Sequence, residues 1–190
     1  MVIKGNRCFR CGRPIEQRLC YDCVRWEKYF NGKDPLKYNV SLLKYNDFLQ
    51  EVVTLWKYRG DYVIIEAFKE LFKKRFKKAF AQIKKPLLVP IPLSKERAME
   101  RGFNQAEQLA EFLPGEVCNI FKRVSSEKQA KKSRRERIRA KNPFELTETV
   151  NRPVILIDDL YTTGSTLRHA SKLLKENNCP AVFAYTLIRG

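Results

Sequence analysis

Between Asn46 and Tyr58 apolar side chains fall at Phe48, Val52, Leu55 and Trp56, three to four residues apart, the spacing that gathers them on one face of an α-helix. Gly60 interrupts the pattern. It resumes from Asp61 to about Lys84, with Ile64, Phe68, Leu71, Phe72, Phe76, Phe80 and Ile83 on one face and Lys69, Lys73, Lys74, Lys77 and Lys78 on the other. Such a stripe predicts a core-facing side and a solvated side; docking on a membrane surface is the minor alternative. Beyond Pro86 the rhythm changes. LLVPIP (87–92) is a short apolar run among prolines, a buried strand running out into a loop. Asn104 with Glu107 has the form of a capping box and opens a helix through NQAEQLAEFL, which Gly115 ends. EVCNIF (116–121), a short strand near FEL, the strand VILI (154–157), a helix from about Ser165 to Asn177 and the strand AVFAYTLI complete the series. Strands alternating with helices imply parallel crossovers, so the expected class is α/β, an open, mostly parallel sheet with helices on its faces.

Three segments are expected: 1–40, holding a cysteine module and turn formers; 41–85, helical and packed on the core; and 86–190, the sheet domain, with a basic loop at 122–143. No Gly/Ser- or Pro-rich linker divides them, so the first should pack against the rest. With 190 residues, 44% hydrophobic, there is material for one medium domain and a small appendage. No uninterrupted apolar run approaches the ~18 residues of a membrane span. The start, MVIKGNRCFRC, has no apolar signal core, so the expected location is the cytoplasm. Charge changes the picture more. Lys and Arg number 38 against 21 Asp and Glu, a net of +17, which favours phosphates, nucleic acid or anionic lipid as partners. Residues 122–141 hold ten Lys or Arg and two Glu.

Four of the six cysteines form Cys8-x2-Cys11-x8-Cys20-x2-Cys23. Two CxxC knuckles this close can wrap a tetrahedral ion, and four protein ligands close the site, making zinc there structural. Four fortuitous cysteines or a redox dithiol are the competing explanations. Arg7, Arg10, Arg13 and Arg18, with Phe9 and Tyr21 among them, form either a single-strand stacking surface or a solvated minicore.

VILIDDLYTTGST (154–166) carries the most chemistry. An apolar strand runs into Asp158 and Asp159, like charges that need a positive or hydroxyl-rich partner. Thr162, Thr163, Gly164, Ser165 and Thr166 then lead into a helix, where backbone N–H groups and the dipole suit a phosphate. It is not a Walker A loop, since Gly32-Lys33 is followed by Asp34. Beside a bound phosphate the acids could meet sugar hydroxyls, a divalent cation, or both. Paired acids after a strand also occur in receiver domains, which lack the Thr-Thr-Gly loop.

The stretch strongly resembles the PRPP-binding signature of type I phosphoribosyltransferases. VPIPLSKERAMERGFNQAEQLA, KYRGD (57–61) and the basic segment from Lys122 to Phe144 resemble elements of ComF-type proteins, relatives of those enzymes associated with DNA uptake in natural competence. The cysteine module is similar to the zinc finger that often precedes that domain. The resemblance implies a sheet of the type I phosphoribosyltransferase kind. It also implies that Asp158 and Asp159 meet the ribose hydroxyls, that residues 162–166 hold the 5′-phosphate, and that magnesium accompanies PRPP. Pyrophosphate would lie by the loop after Pro90 and Pro92, near Arg101, Lys95, Asn104 and Gln105; Arg101 joins the acids as a catalytic candidate. Lys131, Lys132, Arg134, Arg135 and Arg137 are candidates for single-stranded DNA, in a segment that could instead close over PRPP.

Two functions compete: a DNA-handling protein that binds PRPP, and a working transferase that passes phosphoribose to a base or amine and releases pyrophosphate. A scaffold at the inner membrane for other DNA-uptake proteins fits the charge but has no motif of its own. Trp56 and Tyr58 read as packing, His169 as a surface residue, and Cys118 and Cys179 as core.

Overall fold

Strand β7 (Val182–Arg189) is buried along its whole length, because it lies between two parallel neighbours. β1 (Asn39–Lys44) pairs with one edge of it and β6 (Val154–Tyr161) with the other; β2 (Leu87–Pro90) and β3 (Glu116–Val117) extend the sheet in the order β1-β7-β6-β2-β3. All four pairings are parallel. The computed structural model describes residues 2, 3, 5–124 and 142–190.

Period-two alternation sends the side chains of β6 to opposite faces. Val154 and Leu156 join one cluster with Leu167, Ala170 and Leu174 of helix α6 (Ser165–Glu176) and with the four cysteines. Ile155 and Ile157 join the other, with Trp56 of α2 (Asp47–Tyr58), Phe72, Phe76 and Phe80 of α3 (Lys69–Phe80), and Leu109 of α5 (Gln105–Glu111). The cysteine module therefore forms part of one helical layer and shares the domain core. Its helix α1 (Tyr21–Tyr29) buries Trp26, and Arg10 O accepts the first amide of β1, from Asn39, at 2.7 Å.

Several elements differ from the sequence expectation. Segment 41–85 begins with strand residues, because NVSLLK lacks helical periodicity and its Ser41 finds Thr186 across the ladder, Oγ to Oγ1 at 2.7 Å. Helix α2 buries Val52 and Trp56 as expected, with Leu49 beside them in the place expected of Phe48, which is exposed. The long helix expected from Asp61 opens as a 3-10 segment at Val63–Phe68, and Leu71 faces solvent. EVCNIF divides: only Glu116–Val117 joins the sheet, while Phe121–Arg123 (β4) pairs antiparallel with Phe144–Leu146 (β5) at the two ends of the basic segment.

Phe72 anchors α3 by stacking on Tyr185 of β7 at 4.2 Å between centroids, and the Tyr185 hydroxyl donates to Phe72 O at 2.7 Å. Phe72→Ala should cost about 3–5 kcal/mol in urea unfolding; a loss under about 1 kcal/mol would show that the third helix is not held there.

Candidate functional site

Strand β6 does not end at VILI. It continues through both acids to Tyr161, because β7 still pairs with it: Asp158 lies opposite Thr186 and Tyr161 opposite Arg189. The acids thus sit on rigid strand near its carboxyl end, where open α/β sheets bind ligands. The chain turns at Thr162 and Thr163 and enters α6 through Gly164, whose φ is +76°. A side chain at Gly164 would also collide with the Tyr161 ring and the Arg168 guanidinium, so glycine is required on both counts. Thr163 Oγ1 and Ser165 Oγ are 2.9 Å apart, and Ser165 N donates to Thr163 Oγ1 at 3.4 Å.

This turn, the acids and the loop after β2 enclose a cavity of about 360 Å³. Its other wall comes from the end of α2, which brings Lys57 and Tyr58, and from helix α4 (Lys95–Arg101), which brings Arg97 and Arg101; Arg123 enters from β4. Ser94 caps α4 by accepting from Arg97 N at 3.4 Å. Asn104 ties α5 to the strand loop, donating to Ile91 O at 3.1 Å and accepting from Ala106 N at 3.0 Å. The expected capping box is modified here: the Asn104 amide also donates to Glu107 Oε1 at 3.2 Å.

Among the described residues, four cations face two acids. Lys57 Nζ makes an ion contact with Asp159 Oδ2, an oxygen that accepts no hydrogen bond among the described residues. Asp158 Oδ1 accepts from Asp159 N at 2.9 Å. Burial pushes the Asp158 carboxyl up to about 6, against the pull of Lys57, Arg123 and Arg101. Burial brings Lys57 down to about 8, with Arg101 adding repulsion, and lowers Arg123 as well. Arg101 lies over the Tyr58 ring at 5.3 Å and donates to Gln105 Oε1 at 2.7 Å. Arg101 Nε, Arg123 Nε and Gln105 Nε2 are buried with no partner among the described residues, and Gln105 is only 2% exposed. Native interiors rarely leave such donors unmet.

Below the loop lies the cysteine module. Trp26 Nε1 donates to Thr163 O at 2.8 Å. Arg168 donates through Nε and Nη2 to Asp34 Oδ2 at 3.0 and 2.8 Å, and through Nη1 to the Tyr161 hydroxyl at 2.7 Å. Arg189 Nη1 donates to Tyr161 O at 3.0 Å and Thr162 O at 3.1 Å, and its Nη2 approaches Cys11 Sγ at 3.4 Å. The four cysteine sulfurs lie within 4.8 Å of one another, all buried, and Cys20 N donates to Cys8 Sγ at 3.4 Å. Hydrogen bonding from Cys11 lowers the Cys20 thiol to about 6. A closed set of four sulfurs with a donor on the cluster from outside fits a tetrahedral metal ion.

Comparison with known proteins decides the family. The chain is 43% identical over 193 residues to competence protein ComFC of Bacillus subtilis (strain 168), across 98% of this chain and 79% of that protein. It is 30% identical to ComFC of Streptococcus pneumoniae, across 98% and 82%. The chain belongs to the ComFC competence-protein family. Competence protein F of Haemophilus influenzae is 29% identical across 96% of this chain and 84% of that one. No protein-family model matches. Among solved structures, a hypoxanthine phosphoribosyltransferase from Staphylococcus aureus shares 17% identity with TM-score 0.41, covering 65% of this chain and 64% of that one. Adenine phosphoribosyltransferase from Saccharomyces cerevisiae shares 16% with TM-score 0.42, covering 70% and 72%.

In this ComFC-family chain the structure gathers Asp158, Asp159, Arg101, Gln105 and the 162–166 turn around one cavity, with Asn104 at its wall. Lys95 is exposed and does not line it. Lys131, Lys132, Arg134, Arg135 and Arg137, and most of the basic loop, lie outside the described residues. Of the arginines near the knuckles, Arg10 pairs with Glu27 and Arg13 with Asp22, while Arg18 lies over the exposed Phe9 ring at 5.8 Å. Tyr58 is 66% exposed at the cavity wall, not packed inside. His169 is half-buried; burial, with Lys172 adding, holds it down to about 4. Lys57 and Arg97 lie within the two family-like stretches but were not singled out as site residues, and Trp26, Asp34, Arg168 and Arg189 carry no motif that marks a site. Lys57 opens the family-like stretch KYRGD, and that resemblance was the signal that could have marked it.

Above pH ~6 the folded protein holds Asp158 charged at a cost the unfolded chain does not bear; below the unfolded carboxylate value of about 4 that cost is gone. Asp158→Asn should therefore melt higher than the wild type at about pH 8, by roughly 2–4 °C for each kcal/mol relieved. The gap should close as pH falls from about 6 to about 4. His169 is present in both proteins, and Lys57, which Asp158 holds up, stays charged below pH ~6, so the change in the gap between about pH 4 and 6 reads Asp158; a gap independent of pH there would refute the assignment.

Proposed function

We propose that this protein binds PRPP in the cavity beside the acid pair and handles single-stranded DNA during uptake. One observation carries the first half: Arg101 Nε, Arg123 Nε and Gln105 Nε2 are buried around one cavity with no partner among the described residues. They stand opposite a helix N-terminus that suits a second phosphate. A ligand with phosphate at both ends and a diol between them meets all of these groups. The 5′-phosphate lies on residues 162–166, the ribose hydroxyls on Asp158 and Asp159, and the pyrophosphate by Arg101, Gln105 and Arg123.

Zinc fits the four cysteines as a structural ion, bracing the loop through Arg189 and Trp26. Magnesium does not fit the acid pair: Lys57 already contacts Asp159, and three guanidiniums stand nearby. Support for the DNA half comes from membership of a competence family, the net charge of +17 and the exposed Phe9 and Tyr21 rings beside Arg18 and Arg25. No helix among the described residues is long and apolar enough to cross a membrane. The protein would act in the cytoplasm, reaching the inner membrane through other DNA-uptake proteins. A second reading, transfer of phosphoribose to a base or amine, is favoured by Tyr58, whose exposed ring at the cavity wall offers a base a stacking face.

PRPP at about 100 times its dissociation constant should stabilise the zinc-loaded protein by about 2.7 kcal/mol. The Asp158→Asn, Asp159→Asn double variant should not respond; equal shifts in both would remove the acid pair from the site, and no shift in the wild type would end the PRPP reading. Pyrophosphate release on adding a base or amine would mark the second reading. Reversing Lys131, Lys132, Arg134, Arg135 and Arg137 to Glu should weaken single-strand binding and flatten its salt dependence by about 0.7 for each phosphate no longer neutralised. PRPP binding unchanged in that variant would separate the two activities; unchanged DNA affinity would move the DNA surface elsewhere.

A further inference from the structure

We infer that the Lys57 ammonium is the resident cation of the acid pair, so that a phosphoribosyl ligand binds here without magnesium. This rests on the PRPP reading and concerns which charge serves that site.

Occupancy comes first. A pair of adjacent carboxylates beside a phosphate site is where a divalent cation would be expected, yet Lys57 Nζ is already in ion contact with Asp159 Oδ2. The lysine arrives on the last turn of α2, a helix pinned by the buried Trp56, whose Nε1 donates to Gln108 Oε1 at 2.8 Å. Its side chain is 12% exposed, so the ammonium is held there and not sampling solvent. With burial lowering it only to about 8, it remains mostly charged near neutral pH. Asp159 Oδ2 is taken up by Lys57 and shielded from solvent, which leaves the other oxygens of the acid pair to meet sugar hydroxyls while Lys57 neutralises it.

Arg97, Arg101 and Arg123 complete the charge balance, lining the same cavity with no acid salt-bridged to any of them among the described residues. A metal dication added to this set would meet four protein cations at close range. A ligand carrying several phosphate charges would instead find its counter-charge already in place and pre-organised.

The test is PRPP titration by calorimetry of the full-length, zinc-loaded protein in resin-treated magnesium-free buffer and in millimolar magnesium. No chelator is added, since it would strip the cysteine site. Wild type should bind within about threefold of the same affinity in both buffers. Lys57→Met keeps the stem and removes the charge; it should lose about tenfold or more without magnesium and recover most of that loss with it. Lys57→Arg should resemble wild type. Melting of the ligand-free proteins gives a second readout: magnesium alone should stabilise Lys57→Met, whose acids are then bare, and leave wild type unmoved. Wild type that binds PRPP only with magnesium would overturn the inference and leave the PRPP reading standing. The same holds if Lys57→Met shows the magnesium dependence of wild type. Absence of PRPP binding by every protein in both buffers would overturn the PRPP reading itself, and the inference with it.

Discussion

Arg168 and Arg189 are 1% and 2% exposed, and a guanidinium cannot shed its charge when it is buried. Each must be paired where it sits, and that requirement ties the protein together. Arg168 reaches Asp34 of the N-terminal segment and the Tyr161 hydroxyl. Arg189 reaches the carbonyls of Tyr161 and Thr162 and the sulfur of Cys11. The turn from strand to helix, whose upper surface faces the cavity, is thereby fixed from below by the cysteine module. Breaking one partner of a buried pair typically costs about 3–5 kcal/mol, so module and loop behave as one unit.

Above the loop the balance reverses. Where Arg168 below the loop has a carboxylate partner, the cavity leaves charge in excess: among the described residues four cations stand against two acids, with three buried donors unmet. Such an arrangement lowers the stability of the free protein, and burial, which raises the Asp158 carboxyl and lowers the Lys57 ammonium, adds to the cost. A polyanionic ligand would relieve it. Rigid placement matters here, because Asp158 and Asp159 lie on a strand paired through Tyr161 and Lys57 on a helix held by Trp56.

Much of this was legible from residue order. VILI read as a buried strand because four apolar residues run straight into an acid pair, and its continuation through both acids to Tyr161 became visible only with β7 alongside. The turn Thr162–Thr166 announced itself through its glycine and hydroxyls, and the cysteine knuckles through their spacing. The expected apolar face of α2 was out at one position, since Phe48 and Leu49 are both apolar and only the neighbouring layer selects Leu49. His169 looked like a surface residue because a lone imidazole on a helix has no sequence signal for half-burial.

By itself the sequence determined the alternation of strands and helices, the paired-cysteine spacing and the Thr-Thr-Gly turn, because each depends on residues close along the chain. Only the tertiary structure decided what stands against them. Lys57 meets Asp159 across about a hundred residues, Trp26 meets Thr163 and Arg189 meets Cys11 over longer spans. No local periodicity encodes such pairings. They follow from which faces the sheet presents to the layers that cover it, and from the demand that every buried charge find a partner.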